Sequence, residues 1–434
     1  MKEYSFLKMF YRTLGSSLAG LVLTIIYSVL SARMLGAEGR GILAAIQLWP
    51  TVLAGTMTLG LSASFVYHAR QQRHMTGNLF ATGLLVTVLV AGVSGALGMT
   101  LLSHLLPSLS IDQIEFTRVY LVIMLPATAI TIYIGGCTQI LDGLSLFNAG
   151  KIVPVLLQVI AIVTLYITVG LTPERLAIAT IATTFITVAW MMKSSIKVLG
   201  FSLRSIWIDL GLLISYGMSV WAVEIFGVLT QQIDKIWVSG VLSLADLGHY
   251  TLAFGMSRVI ANIQNSAAAV LFPRNIGKPM AEVVQSTAQA FRLTFWPTLF
   301  ISVPVSLLAI PVFPLIFGQE FFLSGQVFPI LVLECILGTS SWVLAQAFNS
   351  LGKPHLIVIR QAAGLVGTIA FAFLLVPKLG IWGVALAVLV GAAVRLAVTI
   401  FAFKKGLGIG LPRLLFCKAD IVLVANLVRK RLGA

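Results

Sequence analysis

Charged residues are scarce in this chain. Asp, Glu, Lys and Arg make up only 10% of its 434 residues, whereas soluble domains carry about 25%. Long polar segments are also lacking, so we expect no soluble domain beside the apolar part of the chain. What the sequence has instead is apolar length: 59% of its residues are hydrophobic and the mean hydropathy is +1.01. Runs of about 18 or more apolar residues recur from end to end. The composition predicts an all-α, multi-pass integral membrane protein.

Residues that commonly carry catalysis are equally sparse. The three cysteines and five histidines have no metal-ligand spacing, and the chain contains no H-E-x-x-H motif. It also lacks the G-x-x-x-x-G-K-[ST] phosphate loop, so we expect no ATP hydrolysis by this chain. We therefore predict a protein that is not an enzyme and that binds no cofactor or metal.

We predict twelve membrane-spanning helices, an even number that places both termini on the same side of the bilayer. Most of the 29 Lys and Arg residues fall on that side, and the opposite side holds only Arg33, Arg40, Arg175, Lys235 and Lys378. The positive-inside rule therefore makes both termini cytoplasmic. The net charge of +15 reflects this topology and contact with anionic lipid rather than nucleic-acid binding. The predicted spans are 13–35, 42–66, 79–103, 117–140, 152–171, 175–192, 211–242, 247–272, 293–316, 325–348, 356–377 and 380–403.

A glycine-containing string lies between two apolar runs once in each half of the chain. The first copy is 32-ARMLGAEGRGIL-43 and the second is 243-SLADLGHYTLA-253. Glycine permits the sharp backbone of a tight turn. We interpret each string as the external turn between the first two helices of its half.

One offset of 207 residues relates the two halves. It aligns Gly41 with Gly248, and it also aligns Gln139 with Gln346. Each half contributes six spans, so the halves have the same orientation and are related by an axis along the membrane normal. Parallel repeats of this kind form two lobes with a substrate cavity between them. We predict an N-terminal lobe over 1–204, a C-terminal lobe over 205–403 and a basic cytoplasmic tail over 404–434, which we expect to form an amphipathic helix on the membrane surface.

The seventh predicted helix carries a polar stripe. Glu224, Gln231 and Lys235 are spaced i, i+7, i+11 and share one face of a helix. The repeat offset maps Asp234 and Lys235 well inside the first span, so we predict that this helix continues to about residue 242. A polar stripe on a membrane helix should face protein or water rather than lipid.

The eighth predicted helix has a similar face. Arg258 and Asn262 are one helical turn apart, and the offset maps Arg258 onto Thr51 in the second helix. Arg33 ends the first helix at the expected mouth of the cavity. We infer a hydrated cavity framed by helices one, two, seven and eight, with Arg258 and Lys235 as its leading cations.

The remaining charges within spans have two interpretations. Arg118, Arg360 and Arg395 lie within two or three turns of a span end, so we expect them to snorkel to the interface. Glu334 lies about ten residues inside its span, which is about 15 Å of helix. It is either a functional carboxylate or one half of an ion pair that joins two helices.

Four stretches are familiar in their order and spacing. They are ARMLGAEGRG at 32–41, QQIDKIWVSGVLSLADLGHYTLAFGMSRVI at 231–260, LFPR at 271–274 and NSLGKPH at 349–355. Together they resemble the polysaccharide-transporter branch of the multidrug/oligosaccharidyl-lipid/polysaccharide (MOP) exporter superfamily, over nearly the whole chain. The resemblance implies a bacterial inner-membrane protein with two six-helix bundles around a V-shaped central cavity.

The resemblance also implies a function. Members of this branch are flippases for lipid-linked oligosaccharides used in O-antigen, capsule or exopolysaccharide synthesis, and their basic cavity residues hold the diphosphate of the substrate. We therefore expect this chain to move a polyprenyl-diphosphate oligosaccharide to the periplasmic leaflet by alternating access. Polysaccharide polymerase and chain-length proteins are the expected partners, together with the lipid bilayer. The candidate cavity residues are Arg258, Lys235, Gln231, Asn262, Arg33 and Thr51.

Transport needs a source of free energy. Moving one negative charge outward across an inside-negative membrane releases about 2.3 kcal/mol per 100 mV. The membrane potential, or a proton or sodium gradient, is therefore the expected drive. The candidates for ion coupling are Glu224, Asp234 and Glu334.

Two other functions compete with this one. The first is a cation or drug antiporter of the multidrug-extrusion branch of the same superfamily. That branch relies on an acidic residue in the N-terminal lobe, and the first two predicted spans contain none. The second is a non-transporting partner in a polysaccharide assembly complex.

Overall fold

The computed structural model describes residues 2–71, 75–140, 145–275, 277–408, 410, 413–416 and 420. Twelve α-helices contain most of these residues, and no strand occurs among them. One short 3-10 helix follows α4, and another precedes α10. The helices are α1 (Lys2–Thr56), α2 (Leu61–Gln71), α3 (Thr76–Leu105), α4 (Ile111–Cys137), α5 (Ser145–Thr168), α6 (Pro173–Leu199), α7 (Ile206–Val241), α8 (Leu244–Asn275), α9 (Met280–Phe317), α10 (Phe322–Ser350), α11 (His355–Leu379) and α12 (Ile381–Lys405).

Ten segments of the described chain are long and apolar enough to cross a membrane. The first of them, Ala19–Gln71, is 53 residues long and contains most of the first predicted span and all of the second. Helix α8 is not among the ten, although its 32 residues are sufficient in length. The prediction of an all-α, multi-pass membrane fold is confirmed. The predicted extension of the seventh helix is also confirmed, since α7 ends at Val241.

Helix α1 is bent sharply at Gly36, inside the first glycine-containing string. Gly36 has φ 70° and ψ −177°, a conformation that only glycine adopts readily. Beyond the bend, the Arg40 Nη1 donates to Ser28 O at 3.1 Å and to Ser31 Oγ at 2.6 Å. Twelve residues of straight helix would separate positions 28 and 40 by about 18 Å. The chain therefore doubles back at Gly36, and α1 consists of two arms, 2–35 and 37–56.

A carboxylate completes the start of the second arm. Glu320 Oε2 accepts a hydrogen bond from the backbone N–H of Ala37 at 3.1 Å. The first N–H groups of a helix have no partner within the helix, and the N-terminal end of the helix dipole favours a negative charge. Glu320 therefore stabilises the turn that the glycine makes possible.

The second predicted span is interrupted. Helix α1 ends at Thr56 and α2 begins at Leu61, while Leu59 (φ 49°) and Gly60 (φ 64°) have left-handed backbone. The break lies against α7, since a Cβ on Gly60 would be 2.9 Å from the carbonyl carbon of Gly217. The prediction of one continuous helix over 42–66 is wrong at this break.

Gly41 and Gly248, which are equivalent under the repeat offset, are in contact with each other. A Cβ on Gly41 would lie 2.6 Å from the carbonyl carbon of Leu244, and closer still to its oxygen. A Cβ on Gly248 would lie 2.9 Å from the carbonyl carbon of Ala37. Ala37 and Leu244 are themselves 207 residues apart. The two turns therefore pack backbone to backbone in a locally two-fold manner, which small residues allow in membrane proteins.

The chain divides into two compact units. Unit 1 comprises Met1–Leu252 with Ile316–Glu320, and unit 2 comprises Ala253–Leu315 with Phe321–Ala434. The predicted lobes, with their boundary at 204/205, stay a prediction. In unit 1, Phe65, Phe80 and Tyr133 form a buried aromatic cluster with ring centroids 5.9–6.5 Å apart.

Only part of the predicted tail is described. Arg292 of α9 pairs with Asp420 through two hydrogen bonds of 2.7 and 3.0 Å, and its Nη1 donates to Arg413 O at 2.6 Å. Trp296 Nε1 donates to Leu414 O at 2.9 Å. These contacts hold the described tail residues on α9. The amphipathic helix predicted for the tail lies mainly outside the described residues.

Candidate functional site

A cavity of about 280 Å³ lies within unit 1, and we call it the cationic cavity. Both arms of α1, helix α7 and the start of α8 line it. These are the segments that the sequence analysis named as helices one, two, seven and eight. Two of the described lining residues are basic and none is acidic. The lining residues are Tyr27, Ser31, Arg40, Leu43, Ala44, Gln47, Leu48, Thr51, Gln232, Lys235 and Thr251.

Arg40 is the first cation of this cavity. Its Nη1 is held by Ser28 O and Ser31 Oγ, while its Nε is buried and makes no hydrogen bond to any described residue. A guanidinium offers five N–H donors in a fixed plane and matches phosphate oxygens in pairs. The turn thus fixes a guanidinium that has donor capacity left for an anion.

Lys235 is the second cation, on α7. Its Nζ donates to Gln231 O at 2.9 Å and to Gln232 Oε1 at 2.7 Å. The sequence analysis placed Gln231 beside it, but the side chain of Gln231 is exposed and Gln232 lines the cavity. Thr51, also a predicted residue, lines the cavity and donates to Gln47 O at 2.9 Å.

A second cavity of about 290 Å³ shares Tyr27, Gln47 and Thr51 with the first. We call it the threonine pocket. It lies among α1, α4, α5 and α6, all within unit 1. Its described lining has six threonines, two glutamines and two tyrosines, and none of the lining residues is charged. They are Tyr27, Gln47, Pro50, Thr51, Tyr120, Met124, Thr128, Thr131, Ile132, Pro154, Gln158, Thr180, Thr184 and Thr187.

The predicted coupling residues of α7 lie outside both linings. Glu224 is half-buried and accepts a hydrogen bond from Thr58 Oγ1, at the break between α1 and α2. Trp221 Nε1 donates to the backbone O of Thr56, the last residue of α1, at 2.7 Å. Asp234 is 3% exposed and accepts from Tyr250 Oη at 2.7 Å.

Arg33 does not line the cationic cavity. Its side chain is exposed, and its Nε donates to Ile316 O at 2.6 Å. Arg40, seven residues further on, takes the position in the cavity that Arg33 was expected to approach. The sequence held a signal for this, since Arg40, Leu43 and Gln47 share one helical face with Thr51.

The deep charges of unit 2 form one cluster. Glu334 is 5% exposed and bridges Arg258 at 2.5 Å and Arg395 at 3.2 Å. Arg258 also lies 4.0 Å over the ring of Phe254, which is a cation–π contact. The side chain of Asn262 lies outside the described residues. An ion pair between helices, one of the two interpretations offered for Glu334, is therefore what the structure contains.

The prediction that Arg360 and Arg395 snorkel to the interface is wrong. They are only 2% and 6% exposed. Arg360 donates to Thr399 Oγ1 at 3.0 Å and to Ser341 Oγ at 2.8 Å. The position of Arg360 near a span end does not predict these buried partners, which lie on α10 and α12. Arg118 differs from both, because its side chain is 30% exposed and pairs with Glu115.

Comparison with known proteins places this geometry in a family. The family model described as "Polysaccharide biosynthesis protein" matches residues 7–275. The lipid II flippase MurJ, in an inward closed conformation, superposes with a TM-score of 0.70 at 13% identity, covering 91% of this chain and 87% of that one. An inward-facing multidrug resistance MATE family transporter of the MOP superfamily gives 0.69 at 13% identity, covering 89% and 94%. A MATE in complex with MaL6 gives 0.68 at 16% identity, covering 92% and 95%. The comparison with curated proteins found no match.

At these identities the likeness to solved structures shows the fold alone, which is that of multi-pass membrane transporters. The family model carries more weight because it spans well over half of the 434 residues. The resemblance to polysaccharide-synthesis membrane proteins that the sequence suggested is confirmed. This chain belongs to the polysaccharide biosynthesis protein family.

Proposed function

We propose that this protein is a flippase that moves a polyprenyl-diphosphate-linked oligosaccharide from the cytoplasmic to the periplasmic leaflet of the bacterial inner membrane. The oligosaccharide would serve O-antigen, capsule or exopolysaccharide synthesis, and polymerase and chain-length proteins would act on it next. The observation that carries the proposal is the cationic cavity, where Arg40 and Lys235 face one space with no acidic residue in the described lining. Ionised phosphate accepts hydrogen bonds and needs cationic donors, which both side chains supply.

The membrane potential suits this substrate. For a diphosphate carrying two negative charges, outward movement across 100 mV releases about 4–5 kcal/mol. Alternating access would let the cavity open to each side in turn. Among the three proposed coupling carboxylates, Glu224 is the strongest candidate, because its hydroxyl partner Thr58 is neutral and because Glu224 is half-buried whereas Asp234 is only 3% exposed. Protonating Glu334 would instead leave two arginines without their carboxylate.

Deletion of the gene in its host tests the flippase directly. We expect an undecaprenyl-diphosphate saccharide to accumulate in the inner leaflet and surface glycan to disappear, as measured by lipid mass spectrometry and glycan staining. Rescue should fail with Lys235→Ala or Arg40→Gln, since losing a charge-assisted hydrogen bond costs about 1.5–3 kcal/mol, or roughly 10- to 100-fold in affinity. Lys378→Ala is the matched control, because Lys378 is exposed at the end of α11.

The outcomes separate the competing functions. Unchanged surface glycan and lipid intermediates would reject the polysaccharide assignment. Increased sensitivity of the deletion strain to organic cations would then favour the multidrug antiporter. If the purified chain in vesicles failed to flip the accumulated lipid although the deletion abolished glycan, the non-transporting partner would be favoured.

A further inference from the structure

We propose that the threonine pocket is a sugar subsite, which binds the first sugar of the substrate while the cationic cavity holds the diphosphate. This inference rests on the proposed function and adds where specificity for the glycan is located. The ligand is a neutral hexose-type sugar attached directly to the diphosphate. The size of the pocket, the orientation of its hydroxyl protons and its wall in common with the cationic cavity support this assignment.

The size of the pocket suits one sugar ring. Small-molecule sites commonly measure about 300–1,000 Å³, and the threonine pocket has about 290 Å³. That volume lies just below the range, which favours one ring over a whole oligosaccharide. The two tyrosines, Tyr27 and Tyr120, add aromatic faces with polar tips, and such faces suit the C–H face of a sugar.

Four of the six threonine hydroxyl protons of the pocket are already committed. Thr51 donates to Gln47 O at 2.9 Å, and Thr131, Thr180 and Thr187 each donate to the carbonyl four residues earlier at 2.8 Å. A threonine hydroxyl has one proton and two acceptor lone pairs. These four side chains therefore offer acceptors to the pocket. A ligand must bring donors, as sugar hydroxyls do.

This arrangement separates the two parts of the substrate. An ionised phosphate has only acceptors, so it gains nothing from the committed hydroxyls of Thr51, Thr180 and Thr187. It finds its donors on Arg40 and Lys235 in the cationic cavity. The sugar, which has donors, is favoured where the acceptors are. The chemistry of the two linings thus orients the substrate as well as binding it.

The two spaces have a wall in common. Tyr27, Gln47 and Thr51 line both of them, and Gln47 Nε2 lies 3.4 Å from Thr180 Oγ1 inside the threonine pocket. Gln47 therefore stands between the cations and the hydroxyl acceptors. A sugar bonded directly to a diphosphate fits neighbouring subsites of this kind.

An organic cation is the alternative ligand for a pocket rich in acceptors. Burying a charge is costly without an opposite charge, and no Asp or Glu is among the described residues that line the threonine pocket. The neutral sugar is thus the better match, and a cation is one outcome of the test.

Binding of defined lipids to the purified full-length chain tests the inference. The probes are undecaprenyl diphosphate and its four forms that carry glucose, galactose, N-acetylglucosamine or N-acetylgalactosamine. We expect wild type to bind at least one glycosylated form roughly tenfold or more tightly than the bare diphosphate. The double variant Thr180→Val with Thr187→Val should lose most of this difference, since each neutral hydrogen bond contributes about 0.5–1.5 kcal/mol. Its affinity for bare undecaprenyl diphosphate should not change.

Thr164→Val is the matched control. Thr164 makes the same type of bond, to Ile160 O at 2.9 Å, but it is exposed and lines neither space. This control should retain the full sugar preference. Lys235→Ala should weaken the binding of bare and glycosylated lipids alike, because Lys235 binds the diphosphate in the proposed arrangement. That difference separates the two subsites.

Three results would overturn the sugar subsite. Wild type could bind all four glycosylated lipids no better than the bare diphosphate, or the double variant could keep the preference. The double variant could also weaken binding of tetraphenylphosphonium and leave the sugar lipids unaffected, which would assign the pocket to cations. If wild type bound neither bare nor glycosylated diphosphate, the proposed flippase function would fail together with this inference. Binding of the bare lipid without a sugar preference would reject the subsite alone.

Discussion

The contact between Gly41 and Gly248 allows us to predict how much a side chain at either position would destabilise the protein. In Gly41→Ala the new Cβ would lie 2.6 Å from the carbonyl carbon of Leu244, whereas an ordinary contact is 3.4–4 Å. The backbones must separate by more than about 0.8 Å, the difference between 3.4 and 2.6 Å, because the carbonyl oxygen of Leu244 is closer still. The obstacle is a main-chain carbonyl, which has no rotamer to change. We expect a loss of about 1–3 kcal/mol in the free energy of unfolding, the usual cost of overpacking.

The local two-fold relation adds a stricter test. Gly248→Ala should cost about as much as Gly41→Ala, because its Cβ would meet the carbonyl of Ala37 in the equivalent way. The double variant should cost clearly less than the sum of the two, since one separation of the turns relieves both contacts. Gly240→Ala is the control, because a Cβ there has no neighbour within 4 Å. Alanine is the better helix former, so this control should be neutral or slightly stabilising.

Unfolding by sodium dodecyl sulfate in mixed micelles, followed by tryptophan fluorescence, measures these differences. Two results would refute the reasoning. One is a Gly41→Ala protein as stable as Gly240→Ala. The other is a double variant whose loss equals the sum of the single losses, which would mean that the two glycines do not share one contact.

Three further predictions concern other contacts. Glu334→Ala should lower the free energy of unfolding by about 3–5 kcal/mol in the same assay, because it removes the buried carboxylate that pairs with the buried Arg395 and the partly exposed Arg258. Glu115→Ala removes an exposed partner and should cost about 0–1 kcal/mol, and equal losses would contradict the pairing. Asp420→Asn should loosen the tail from Arg292, so limited trypsin digestion should cleave the tail faster than in wild type, and unchanged cleavage would argue against that contact. Ser110→Ala removes the side-chain cap of α4, where Ser110 accepts from the backbone N–H three residues on at 3.3 Å, and should cost about 1 kcal/mol.

Hydropathy was sufficient to predict most of the helices, because lipid forces every spanning segment to satisfy its own backbone hydrogen bonds. The repeat then corrected what charge alone suggested about α7, which continues past Asp234 and Lys235 to Val241. The break at Leu59–Gly60 was not predicted. A single glycine in an apolar run does not by itself predict a left-handed turn. The residue that Gly60 contacts at this break, Gly217, lies 157 residues further along the chain.

The site was predicted less completely than the fold. Lys235 and Thr51 do line one cavity, because helical spacing fixes which residues share a face. Arg40 was treated as a turn residue, and its inward position depends on the bend at Gly36. Arg360 was assigned to the interface from its distance to a span end, but its partners Thr399 and Ser341 lie on other helices. Partners that come from distant helices leave no periodic signal in the sequence.

The repeat also bears on what the threonine pocket is for. Around Gly41 and Gly248 the two halves keep the same backbone contact, since the approach tolerates only glycine there. The pocket is different, because the 207-residue offset maps five of its six threonines onto small or apolar residues of the second half and maps Thr51 onto Arg258. A packing feature required by the fold should recur in both copies, whereas a feature that binds one end of an asymmetric substrate need occur only once. The loss of hydroxyls in the second half therefore supports a ligand-binding role in the first. The pairs are Thr128 with Cys335, Thr131 with Gly338, Thr180 with Ala387, Thr184 with Gly391 and Thr187 with Val394.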